Sequence, residues 1–169
     1  SFGHAVHLTE RERAGIRDTG SAIAHCPTSN TFIGSGLFDL EELRDTNATI
    51  PVGLATDVAG GSSLSMFATM RTAYEVAQLR GYSLHPAKAW YLATVGSATA
   101  MRIADKVGNL APGMEADLAV IDLASTDLIR RRVARAENIW EVLFAQMILA
   151  DDRAITATYV AGEPLYRRD

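Results

Sequence analysis

The sequence predicts an α/β fold, and three observations carry that expectation. Short apolar segments alternate with helical ones over the first hundred residues. The apolar segments end on polar residues of catalytic type: His4 and His7, then His25, then Asp57. After Gly108 the texture changes, and the remaining segments read mostly as strands. Strand–helix alternation implies parallel strands joined by right-handed crossovers. Two architectures fit that pattern: an open doubly wound sheet, or part of an eight-fold barrel.

Each element has a local reason. Phe2 to His7 is short and apolar, so it reads as the first strand. Thr9 with Glu12 three residues on is a capping box, and Gly20 is a helix stop, which frames a charged helix to Asp18. Ser21 to His25 is the second strand, and Pro27 is expected to break it. Thr28 to Gly36 is rich in Ser, Asn and Gly and reads as a loop; Leu37 to Arg44 suits a short helix. Ile50 to Thr56 is the third strand, with Pro51 at its start. Asp57 to Ser63 is a Gly-rich turn. Ser63 is the expected cap of a helix from Leu64 to about Arg80, where Met66, Phe67, Met70, Tyr74 and Ala77 fall at helical spacing. Two further helices follow, Pro86 to Thr94 and Ser97 to Ile103. Leu118 to Ile121 and Thr156 to Val160 are strands, Ile139 to Leu149 is helical, and Ala161-Gly162-Glu163-Pro164 is a turn. A boundary is placed near Asp105, giving units 1–104 and 105–169.

Composition narrows the function classes. With 48% apolar and 21% charged residues, the 169-residue chain has enough apolar mass for a core and is not of the disordered class. A net charge of −4 argues against nucleic acid as a partner, since phosphate binding calls for a basic patch. The run Arg130-Arg131-Arg132 reads as a solvated face. No apolar stretch reaches about 18 residues, so no membrane span is expected. Cys26 is the single cysteine, which excludes an intrachain disulfide and a Cys-based zinc finger and fits a reducing compartment. It also excludes the cytidine-type zinc deaminase signature, which needs Pro-Cys-x-x-Cys. Neither a Gly-x-Ser-x-Gly elbow nor a phosphate-binding Gly-x-x-x-x-Gly-Lys is present.

In parallel α/β folds the working face is the carboxyl end of the strands. His4, His25 and Asp57 therefore converge on one face. Asp57 reads as a carboxylate ligand or base, or else as a turn residue ahead of Gly60-Gly61. His4 and His25 are candidate site groups, or else buried histidines with satisfied hydrogen bonds. His7 is read as supporting or exposed, His85 as a cap or surface group, Cys26 as a small packed residue and Asn30 as a group ordering its loop.

Four segments resemble the amidohydrolase superfamily. Gly3-His4-Ala5-Val6-His7-Leu8 is similar to its sixth strand. Ala24 to Asn30, with Gly34-Ser35-Gly36-Leu37-Phe38, is similar to the seventh strand and its loop; Val52 to Asp57 is similar to the eighth. Gly108-Asn109-Leu110, Gly113 and Ala116-Asp117-Leu118 resemble the return into a small β-sandwich. Within the superfamily, His25-Cys26-Pro27 and Asp57-Val58-Ala59-Gly60-Gly61 resemble the branch that deaminates guanine; adenosine-type relatives more usually carry Asn after that histidine and Gly after that aspartate.

The resemblance implies the last three βα units of a metal-dependent (β/α)8 barrel plus carboxyl-terminal strands of a β-sandwich with a helical insertion. It implies Zn²⁺, with Fe²⁺ as an alternative, held by Asp57 and by histidines that would lie before Ser1. Family members run to well over twice this length, and no His-x-His pair is present, so an amino-terminal remainder is an expected partner. Asp57 would hold the metal and take the proton of the attacking water; His4 would hydrogen-bond that water; both would contact guanine. The implied setting is a cytoplasmic homodimer in purine catabolism, with this piece inactive alone. Competing readings are an aminohydrolase or chlorohydrolase of another purine, a pterin or a triazine, and a non-catalytic α/β binding fragment.

Overall fold

A computed structural model describes residues 1–41 and 50–168. Three short parallel strands, β1 (Phe2–Gly3), β2 (Ile23–His25) and β3 (Val52–Leu54), form the first sheet in the order β1-β2-β3. Helix α1 (Glu10–Asp18) joins β1 to β2. The Glu12 N–H donates to Thr9 Oγ1 at 3.3 Å, and the Thr9 N–H donates to Glu12 Oε2 at 2.7 Å, so the expected capping box forms. At the other end Gly20 takes φ +58°, its N–H donates to Arg17 O and that of Ser21 to Ile16 O, which closes the helix as a Schellman motif.

Three expectations in this region are corrected. The first strand stops at Gly3, because His4 and Ala5 both take positive φ and turn the chain out of the sheet. Pro27 opens helix α2 (Pro27–Phe32), and the expected loop is helical there. Proline is tolerated at the first helical position, where no intrahelical N–H is needed. No helix forms over residues 37–41 of the expected Leu37–Arg44 segment; Phe38 and Leu40 are both buried, the two-residue spacing of extended chain. Residues 42–44 of that segment lie outside the described residues.

Helix α3 (Met66–Leu79) begins two residues later than expected. Ser65 is its cap, with Oγ accepting from Ala68 N, and Ser63 in turn accepts from Ser65 N. Phe67, Met70, Ala73 and Ala77 face the core, at the three- and four-residue spacing of one helix face. Helices α4 (Pro86–Ala93) and α5 (Val95–Ala100) follow. His85 caps α4 as expected, Nδ1 accepting from Ala87 N at 3.2 Å. Helix α5 lies against β3 so closely that a Cβ on Gly53 would sit 2.6 Å from Ser97 Cα.

The second sheet is antiparallel: β4 (Leu118–Ile121), β5 (Ile155–Val160) and β6 (Glu163–Arg167), in that order. Strand β6 lies where the sequence suggested a longer turn. The turn is only Ala161-Gly162, at φ +51° and +84°, the two-residue hairpin geometry. Pro164 fits in β6 because an edge strand need not donate at every residue.

Between β4 and β5 run α6 (Asp127–Val133), which the sequence reading passed over, and α7 (Ile139–Leu149), where it was expected. Arg130 pairs with Asp127 at 2.7 Å and Arg132 with Glu141 at 3.7 Å, so the arginine run is a surface face of α6. Helix α7 packs on α3 and α4 through Phe144 against Tyr74 and through the Trp90 indole, which donates to Leu143 O. One core cluster joins Ile23, Leu54, Met70 and Leu92 to Ile129, Met147 and Ala154. Among the described residues no helix is long and apolar enough to cross a membrane.

Candidate active site

The sheet brings the ends of β1, β2 and β3 side by side. His4 N donates to Ala24 O and Ala55 N to His25 O, continuing the ladder one step past the strands. Thr28 Oγ1, on α2, donates to Thr56 O and ties that helix to the end of β3. The chain then bends sharply at both outer ends. His4 (φ +64°), Ala5, Asp57 (φ +45°) and Ala59 (φ +94°) all occupy the left-handed region without being glycine. Such residues cost on the order of 1–3 kcal/mol each and concentrate at functional sites. Here the bends deliver two side chains to one point.

His4 Nε2 stands 3.6 Å from Asp57 Oδ2, and both side chains are about 40% exposed (41% and 40%). Cys26 Sγ completes a cluster whose donor atoms all lie within 4.8 Å of one another. Burial pushes the Cys26 thiol above its ordinary value, and its S–H donates to Ala24 O at 3.3 Å. His4 Nδ1 lies 2.8 Å from Asn30 Oδ1. Gly60 keeps the carboxylate clear: a Cβ there would lie 2.9 Å from both Asp57 Oδ2 and Ser29 Oγ.

Of the residues singled out in sequence, His4 and Asp57 come together and His25 does not join them. His25 is buried on the same side of β2 as Ile23 and stacks on Phe38 with 4.4 Å between ring centroids. His7 is exposed and hydrogen-bonds Ser35 O through Nε2 at 2.7 Å, which tethers the segment after α2. Two residues read in sequence only as packing or loop groups, Cys26 and Asn30, also lie beside His4. Cys26 follows His25, so its side chain leaves β2 on the opposite side, as alternation along an extended chain requires, and it is buried there at 3% exposure. Asn30 lies one helical turn beyond Cys26, to whose carbonyl its N–H donates. Reading Pro27 as a helix start would have found it.

Burial without a partner for Nδ1 drives the His25 pKa from 6.5 down to about 3. The unfolded chain therefore binds one more proton than the folded chain between these values. Stability is expected to be full above pH 6.5 and to fall as pH drops toward 3, by at most about 1.4 kcal/mol per pH unit from this group. Urea unfolding of wild type and His25→Gln across that window checks it. The variant should show the shallower acid slope, and equal slopes would refute the assignment.

Residues 2–165 match the model of the amidohydrolase family. The chain belongs to that family. Among amidohydrolases, guanine deaminase of Escherichia coli (strain K12) is 42% identical over 168 residues, which is 99% of this chain and 38% of that protein. A solved structure of the E. coli guanine deaminase superposes with a TM-score of 0.96 over 99% of this chain and 39% of its own. A guanine deaminase from C. acetobutylicum, solved with guanine bound in the active site, is 25% identical with a TM-score of 0.82, covering 97% of this chain and 38% of its own. An adenosine deaminase from Xanthomonas campestris with bound zinc is 27% identical with a TM-score of 0.77, covering 96% and 36%. The chain thus spans about two fifths of the length of the relatives it matches.

Proposed function

We propose that this chain is one portion of a guanine deaminase, an enzyme that hydrolyses guanine to xanthine and ammonia. The observation that carries the chemistry is the His4–Asp57 pair, two polar groups facing each other at 3.6 Å at the ends of parallel strands. The substrate follows from the 42% identity to the E. coli guanine deaminase.

On this reading residues 1–104 supply the last three βα units of the barrel. Residues 105–169 belong to a β-sandwich, with α6 and α7 as its insertion. Supporting this, β1 and β3 each pair on one side only among the described residues, and the second sheet is antiparallel. A homodimer in the cytoplasm is part of the same proposal.

The donors present suit a metal ion. An exposed carboxylate lies within 4.8 Å of an imidazole nitrogen, and burial disfavours the thiolate of the nearby Cys26; in line with the family resemblance, Asp57 would be this chain's ligand and His4 would face the water. Zn²⁺ (or Fe²⁺) held there would push the pKa of a bound water far below that of bulk water. Asp57 would accept a proton from the attacking water, whose oxygen adds to the amino-bearing carbon of guanine. His4 hydrogen-bonds the attacking oxygen and holds it on line, which is general-base and electrostatic work. A C–O bond forms, the C–N bond breaks, and ammonia leaves with the transferred proton.

The test is ammonia release by the intact native enzyme. Guanine should be turned over and adenosine should not. Removing the metal with a chelator should abolish release, and adding Zn²⁺ or Fe²⁺ should restore it. Full activity after metal removal, or a preference for adenosine, would overturn the proposal.

A further inference from the structure

We infer that Asn30 is a positioning residue that fixes the tautomer of His4, so that Nε2 meets Asp57 as a bare lone pair. Asn30 is 1% exposed, and its Oδ1 lies 2.8 Å from His4 Nδ1. An amide oxygen only accepts, so the ring hydrogen must sit on Nδ1. In the neutral ring Nε2 is then unprotonated.

The Asn30 backbone is held on both sides: its N–H donates to Cys26 O, and its carbonyl accepts from Ser35 N at 2.8 Å. These bonds fix the backbone from which the amide reaches the ring, and the side chain itself is buried. The amide nitrogen Nδ2 is buried and without a partner among the described residues. Asn30 therefore pays a desolvation cost to hold His4, on the order of 1–3 kcal/mol for one buried unsatisfied group.

The tautomer decides what the cluster can do. With hydrogen on Nδ1, His4 Nε2 and Asp57 Oδ2 are two acceptors 3.6 Å apart and have no bond to offer each other. Both remain open to a group that donates two hydrogens, such as a water. With hydrogen on Nε2, the ring would turn a donor toward the carboxylate and lose Nε2 as an acceptor. Asn30 thus keeps the pair from closing on itself. This rests on the proposed hydrolysis for its purpose and on geometry alone for its existence.

The experiment uses the intact enzyme labelled with ring-¹⁵N histidine, with the His4 resonances identified by their loss in His4→Gln. At a pH where the ring is neutral, wild type should show the hydrogen on Nδ1. Asn30→Leu, close in volume and without an acceptor, should lose that preference. It should also lower kcat about a hundredfold with KM changed less than about threefold and metal content retained, within the range for one acid–base group. Asn30→Asp supplies an acceptor again and should restore the Nδ1–H form. Hydrogen on Nε2 in wild type would overturn the inference, as would an unchanged tautomer in Asn30→Leu or no restoration in Asn30→Asp. The wild-type spectrum decides even if a variant fails to fold. No substrate is present in the spectroscopic measurement, so failure of guanine turnover counts against the proposed function and leaves this result standing.

Discussion

Asp57→Asn in the intact enzyme is expected to lower kcat with guanine by about 10³-fold or more and to leave the fold unchanged. Asn is nearly isosteric with Asp, and the left-handed backbone at φ +45° suits it as well as Asp. The packing beside Gly60 and the bond from Gly61 N to the Asp57 carbonyl should survive. What goes is the charge. A neutral amide binds a divalent ion less well and takes no proton from water, so metal affinity and general-base action fail together. His4→Ala should also lower kcat strongly but retain more metal if, as proposed, His4 faces the water and not the ion. His85→Ala removes a helix cap and a ring contact with Trp140, neither of them part of the site, so its kcat should stay near that of wild type. The measurements are kcat and metal content for all three. Near-normal activity and metal in Asp57→Asn would reduce Asp57 to a turn residue and remove the site assignment.

Gly53→Ala is expected to be the most destabilising single methyl in the chain's first sheet. Its Cβ would lie 2.6 Å from Ser97 Cα and 2.8 Å from Ser97 Oγ, so backbone must give way. Moving α5 off β3 also stretches the 3.0 Å bond from Ser97 Oγ to Leu54 O. Overpacking of this kind costs about 1–3 kcal/mol, and contact with backbone puts this site at about 3 or above. Gly15→Ala is the counterpart. It lies inside α1, and a Cβ there meets nothing within 4 Å. It should stabilise by about 0.5–1 kcal/mol through helix propensity and a less flexible unfolded chain. Denaturant midpoints of the two variants in the intact protein should move in opposite directions. A neutral Gly53→Ala would mean that α5 does not seat on β3 as described.

Helix α1 was legible in the sequence to the residue. Its start is a capping box spanning Thr9 to Glu12 and its end a glycine turn, both made by groups a few positions apart. The bounds of α7, Ile139–Leu149, were also expected, though its Asn138 cap was not. Proline misled twice, at Pro27 and Pro164, because the residue itself does not say whether its missing N–H is needed. At a helix start or a sheet edge it is not. The alternation of strands and helices made the α/β class and the strand-end position of His4 and Asp57 readable from the chain alone.

Tertiary structure decided the rest. Whether His25 or Cys26 joined the cluster turned on one step of strand alternation, which only the packing of His25 against Phe38 settles. The contact of His4 with Asn30 spans 26 positions, and no local pattern of either residue encodes it. Caps and turns are short-range bonds that a few neighbouring residues determine by themselves. A site built from three strand ends depends on register, left-handed bends and the seating of α2, and these form only when distant segments share one core.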